Sequence, residues 1–259
     1  SLYLATAGNS RYNHRMKETM DNIAARADDC MGRGDWDGAE RVFLAALTEA
    51  EETGDKRMAL SLCSELIGFY RQRGDAEKFY PVYDRCMALL DAVRPGAAAR
   101  GTILINAATA LAAFGEAARA LPLFREAESL YAAALEANHP RLAALYNNMA
   151  AALDALHRPD EAERYMLRAL ENQKQRPGDL DLAVTYVNLA QHYAARNDTD
   201  ARIAACLDKA MERMDSPDAV WEYYYAHTAR KIAPALEALG RADASRDLRE
   251  RADIIYEGT

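Results

Sequence analysis

The sequence predicts an all-α fold, a right-handed superhelical solenoid of about six antiparallel helix pairs. Three observations lead there. Helix-breaking residues are scarce and regularly placed, the segments between them have helical periodicity, and one apolar pattern recurs at a nearly constant interval.

The breakers form two alternating sets. One is GRGD (32–35), QRGD (72–75), FGEA (114–117), HRPD (157–160), RNDTD (196–200) and LGRAD (239–243). The other is TGD (53–55), RPG (94–96), NHP (138–140), RPGD (176–179) and DSPD (215–218). Gly, Pro, Asn and Asp stop helices because they favour turns or left-handed backbone, or lack an amide proton. The intervening segments run about 15–25 residues and are rich in Ala, Leu, Glu and Arg. These are good helix formers, and no run alternates as a half-buried strand would. About twelve helices joined by short turns follow.

The second helix of each pair carries apolar residues at i, i+4 and i+7, one face of a helix. They are Ala39, Phe43 and Ala46; Phe79, Tyr83 and Cys86; Ala120, Phe124 and Ala127; Ala162, Met166 and Ala169; Ile203, Leu207 and Ala210. Their first members stand 40, 41, 42 and 41 residues apart. A sixth copy, Ala244 and Leu248, has Arg251 where the others keep a small or thiol residue, as expected of a capping repeat. The first helices agree: Ala27 and Cys30, Ile67 and Tyr70, Ala108 and Leu111, Ala150 and Leu153, Ala190 and Tyr193 keep one spacing. The expected organisation is an N-terminal segment or linker at 1–17. A single repeat domain follows at 18–257, with repeats 18–54, 57–95, 97–138, 140–177, 180–215 and 218–257.

A small residue, an aromatic four later and an Ala seven later, after a Gly-Asp-type turn, resemble the tetratricopeptide repeat. GDWDGAERVFLAAL (34–47) is the best copy and HRPDEAERYMLRAL (157–170) is close to it. The usual repeat has 34 residues; the longer period here, with LYNNMA (145–150) and TYVNLA (185–190) in first helices, resembles the kinesin light chain subclass. Repeat two departs from the pattern, with Phe79 where Ala is expected.

Asn costs an exposed helix interior roughly 0.6 kcal/mol relative to Ala, yet Asn106, Asn148 and Asn188 recur at intervals of 42 and 40 residues. Each stands nine residues before its turn, beside the packing positions rather than among them. The resemblance implies that this strip lines the concave face and that such asparagines clamp the backbone of a bound peptide. An amide both donates and accepts, which suits main-chain N–H and C=O. Asn147 and Gln191 are further candidates, His192 lies near the groove, and Arg230 with Lys231 would extend the strip as a carboxylate-receiving end. The alternative is that the amides bridge neighbouring helices and bind nothing.

Composition narrows the classes. There are 40 acidic and 32 basic residues, a net charge of −8, which disfavours nucleic acid as partner. No uncharged run is long enough to span a bilayer. Cys30, Cys63, Cys86 and Cys206 are dispersed without CxxC and read as core residues in a reducing compartment. The five histidines lack metal-ligand spacing, and no catalytic motif is present, so neither metal nor cofactor is expected. The expected function is a non-catalytic cytoplasmic scaffold or adaptor binding a protein or peptide segment, as monomer or homodimer. The alternatives are a peptide-sensing part of a larger bacterial regulator and a self-assembly module.

Overall fold

The computed structural model describes residues 10–176, 179–219 and 222–257, and side chains from residue 20 onward within them. Among these residues there are twelve α-helices and no strand. They form two compact units, Ser1–Leu135 and Glu136–Thr259. The first unit holds α1 (Ser10–Gly32), α2 (Trp36–Glu52), α3 (Lys56–Arg73), α4 (Ala76–Val93), α5 (Ala97–Ala113) and α6 (Ala117–Ala134). The second holds α7 (Pro140–Ala155), α8 (Pro159–Gln173), α9 (Asp181–Ala195), α10 (Asp200–Met214), α11 (Tyr223–Ala238) and α12 (Ala242–Glu257). The first helix begins at Ser10, inside the stretch 1–17 that the sequence sets outside the repeats.

Each expected pair is a helical hairpin, and the turn chemistry explains where it bends. Asp35, Asp55 and Asp75 cap α2, α3 and α4 by accepting from the amides of Gly38, Met58 and Lys78 at 2.8, 3.0 and 3.1 Å. Inside five of the pairs the turn passes through left-handed backbone at Gly34, Gly74, Gly115, His157 and Asn197. Gly240 does the same between α11 and α12. Four of the six positions are glycine because only glycine adopts that region without steric cost.

The periodic residues are the core. Ala39, Phe79, Ala120, Phe124, Ala127, Ala162, Ala169 and Ala210 are fully buried, as are Leu111, Ala150 and Ala190 on first helices. Small residues there let helices approach closely. Gly101 shows the limit: a Cβ on it would stand 2.7 Å from the Tyr131 ring, whose hydroxyl is 2.8 Å from Thr102 Oγ1. Cys63 and Cys86 are buried and Cys30 and Cys206 half-buried, all reduced; burial pushes the Cys63 thiol up to about 11, consistent with a packing role.

One polar constellation recurs in both units. Tyr70 of α3 donates to Glu40 of α2 at 2.8 Å, Lys78 binds the same carboxylate, and Arg73 pairs with Asp37. Tyr193 of α9 donates to Glu163 of α8 at 2.9 Å, Arg202 reaches that carboxylate, and Arg196 pairs with Asp160. In the sixth pair Arg251 serves the buried Tyr225 hydroxyl instead, at 3.0 Å, and also binds Asp215. That accounts for the arginine in the place of a small residue.

Burial, then the Glu163 carboxylate, pushes the Tyr193 phenol from 10.0 up to about 12. The unfolded chain would release this proton near pH 10, while the folded chain holds it until about pH 12. Stability present below pH 10 should therefore decline between those values. Thermal melts of wild type and Tyr193→Phe across pH 9–11.5 check this; parallel profiles would refute it.

Candidate functional site

In the second unit three helices turn one face each toward a common furrow. On α7 the lining residues are Ala144, Asn147, Asn148, Ala151 and Asp154; on α9 they are Asp181, Val184, Asn188, Gln191, His192 and Ala195. Both sets contain the i, i+3, i+4, i+7 spacing of one helix stripe, Ala144 to Ala151 and Asn188 to Ala195. On α8 the lining residues Pro159, Met166 and Gln173 step by seven, and Met166 and Gln173 are the buried ones, so α8 forms the floor. Lys231 of α11 completes the lining beside the α9 wall. The cavity encloses about 840 Å³. Fourteen residues separate Pro159 from Gln173, so the floor runs about 21 Å, the length of roughly six residues of extended chain.

The half-buried amides link the walls. Asn188 donates to Asn147 Oδ1 at 3.4 Å, Asn147 donates to Thr185 Oγ1 at 2.7 Å, and Thr185 donates to Gln173 Oε1 at 2.8 Å. Asn147 is therefore a bridge between first helices, although it lacks counterparts in neighbouring repeats. Asn188 uses one of its two N–H groups in this chain. At the other end His192, buried on α9, sets Nδ1 2.9 Å from both oxygens of Asp154 on α7.

The furrow's charges are of both signs. Asp154 faces His192, Asp181 accepts from the Tyr224 hydroxyl, Arg196 pairs with Asp160 at 2.9 Å, and Lys231 is exposed. No group of three or more His, Cys, Asp or Glu among the described residues is placed to hold a metal ion. No described helix is long and apolar enough to cross a membrane.

The structure thus gathers Asn147, Asn148, Asn188, Gln191 and Lys231 in one cavity. Arg230 is elsewhere, contrary to its expected pairing with Lys231. It binds Asp253 of α12 at 2.7 Å and stacks over Tyr256, because successive helix positions diverge by about 100°. Asn106 belongs to the first unit, where it bridges α5 to α3 by donating to Ser64 Oγ at 3.0 Å. Sequence reasoning placed His192 near the groove but missed Gln173 and Asp154 as furrow residues, and Thr185 as the buried link between Asn147 and Gln173. The available signal was the heptad Pro159, Met166, Gln173 on a second helix, whose polar third member breaks an apolar stripe.

Known proteins agree with this architecture. A tetratricopeptide repeat model matches residues 99–175 and 141–216. No curated protein matches the chain in sequence. Among solved structures, the nearly identical TPR-like repeats of a Podosopora anserina protein named for kinesin light chain share 19% identity with a TM-score of 0.53, covering 76% of this chain and 94% of that one. BtubC (BKLC) from P. vanneervenii shares 16% identity with a TM-score of 0.57, covering 91% of each. A MamA RS-1 double mutant shares 18% identity with a TM-score of 0.52, covering 77% and 97%. At such identities the likeness establishes the fold. Residues 99–216 thus match the tetratricopeptide repeat, and the helical fold is similar to that of repeat structures of the kinesin light chain type.

Proposed function

We propose that the chain is a non-catalytic interaction scaffold whose second unit holds an extended peptide or partner segment in the furrow between α7 and α9. Tetratricopeptide repeats are protein-interaction folds, and one observation supports this use of the present copy. Asn147, Asn148, Asn188 and Gln191 line one cavity about 21 Å long. A bound main chain offers a donor and an acceptor at each residue, and carboxamides match both. The mixed charge of the lining suits a polypeptide better than a phosphate-rich ligand.

The exposed face of α12 carries Asp243, Arg246, Arg249, Glu250 and Asp253, with Ile254 as an exposed apolar residue among them. Such a face suits a solvated cap and supports peptide capture over stacking of copies through this helix.

A bead-displayed library of random nonapeptides, selected on the chain, tests the proposal. Asn148→Ala and Asn188→Ala should each weaken the selected peptides by about 1–3 kcal/mol, with melting temperatures nearly unchanged. Failure to select any peptide, or selected peptides indifferent to both substitutions, would refute it.

A further inference from the structure

The helix that carries Asn147 and Asn148 into the furrow, α7, starts on a histidine. His139 is its N-cap, and Pro140, the first helical residue, has no amide proton to satisfy. The first amide that needs an acceptor is that of Arg141, and it donates to His139 Nδ1 at 3.2 Å. A backbone N–H can only donate, so Nδ1 carries a lone pair and the ring's single proton sits on Nε2. A carboxylate cap, as on α2, α3 and α4, stays an acceptor through mildly acid pH, whereas a histidine ring takes up a proton there.

The surroundings of this half-buried ring oppose its charging. Arg176, which follows α8, donates through Nη1 to the Asn138 carbonyl and to Asn172 Oδ1, both at 2.6 Å, and through Nε to Asp179 at 3.0 Å. Asn172 of α8 donates in turn to the Ala137 carbonyl at 2.8 Å. These bonds hold the Arg176 guanidinium against the chain that enters α7. The charges acting on the ring are Arg141 on α7, Arg176 after α8 and Glu136 on the entering segment. Two of the three are cations, and the positive end of the α7 dipole adds to them. Burial, then the Arg141 and Arg176 charges, hold the His139 pKa below the ordinary 6.5, while Glu136 pulls the other way.

We propose that His139 is an acid-sensitive fastening of the furrow wall: its protonation breaks the cap and frees the first turn of α7. The imidazolium has no lone pair at Nδ1 for the Arg141 amide, and it sets a cation at the amide end of the helix. A histidine whose folded pKa lies below that of the unfolded chain adds stability above about pH 6.5, and that contribution is lost as pH falls below this value. The freed turn precedes Asn147, whose amide reaches Gln173 of the floor through Thr185. The wall is therefore firm at neutral pH and looser in mild acid, whether or not the furrow holds a peptide.

The test uses the whole chain without a peptide. His139→Asn keeps an accepting cap that does not titrate, and His139→Ala removes the cap at every pH. At pH 7.5 His139→Asn should melt within about 1 °C of wild type and His139→Ala about 2–4 °C lower. At pH 5.0 wild type should have fallen to meet His139→Ala, with His139→Asn about 2–4 °C above both. In NMR spectra of wild type the His139 ring and the Arg141 amide should titrate together, with a midpoint below 6.5. Parallel melting profiles for wild type and His139→Asn would overturn the proposal. So would a ring midpoint at or above 6.5, or an Arg141 amide that does not follow the ring. Should a variant fail to fold, the two wild-type titrations still decide.

Discussion

Phe79→Ala is expected to destabilise the first unit by roughly 3–5 kcal/mol. The repeat pattern alone suggests the opposite, because the corresponding places in the first, third and fourth repeats hold Ala39, Ala120 and Ala162. The structure shows why restoring the small residue fails. Phe79 is fully buried, and its ring meets those of Tyr80, Tyr83 and Phe114 at centroid distances of 5.1, 5.7 and 4.9 Å. Phe114 comes from the end of α5, so this aromatic cluster ties the second pair to the third. Removing the ring deletes its burial and leaves a cavity that three aromatic neighbours cannot close. Chemical denaturation reads this as a lower midpoint at unchanged slope. A neutral or stabilising result would show that the cluster is not a fixed part of the core.

Glu40→Ala should cost about 2–3 kcal/mol, the second largest effect. Glu40 is 8% exposed and accepts from the buried Tyr70 hydroxyl at 2.8 Å and from Lys78 at 2.8 and 2.9 Å. Alanine leaves the phenol without its acceptor, and a buried unpaired hydroxyl is the costly part. Lys78 is half exposed and regains water, so its lost ion pair adds little. The double-mutant cycle with Tyr70→Phe isolates the hydrogen bond, and a coupling below about 0.5 kcal/mol would contradict its assigned weight.

Much of the fold was legible in advance because helices announce themselves locally. The i, i+4, i+7 stripes and the glycine-centred turns each depend on neighbours within one or two turns of chain. The pairing of helices into hairpins followed from turn length. The turns at His157 and Asn197 were readable from the Pro, Asn and Asp of HRPD and RNDTD, without a glycine. The Tyr–Glu constellations were not legible, since Tyr70 and Glu40 are ordinary residues until the hairpins pack and set them 2.8 Å apart.

The site divides in the same way. The recurrence of Asn148 and Asn188 marked a strip of the first helices, and the structure places both in one cavity. Asn147 was the weaker candidate on sequence grounds because it does not recur, yet its side chain links α7 to α9 through Thr185 and Asn188. Arg230 and Lys231 were inseparable as neighbours in sequence; rotation about the helix sends Arg230 to Asp253 and Lys231 to the furrow.

By itself, then, the order of residues determined the helices, their interval and the stripe each one turns inward, because those depend on short-range sterics and apolar spacing. Only tertiary packing decided that Gln173 and Met166 of α8 form a floor between α7 and α9, and that Asp154 meets His192. Those contacts join residues up to 38 positions apart along the chain, and their distances are set by how side-chain volumes fill the space between stacked helices.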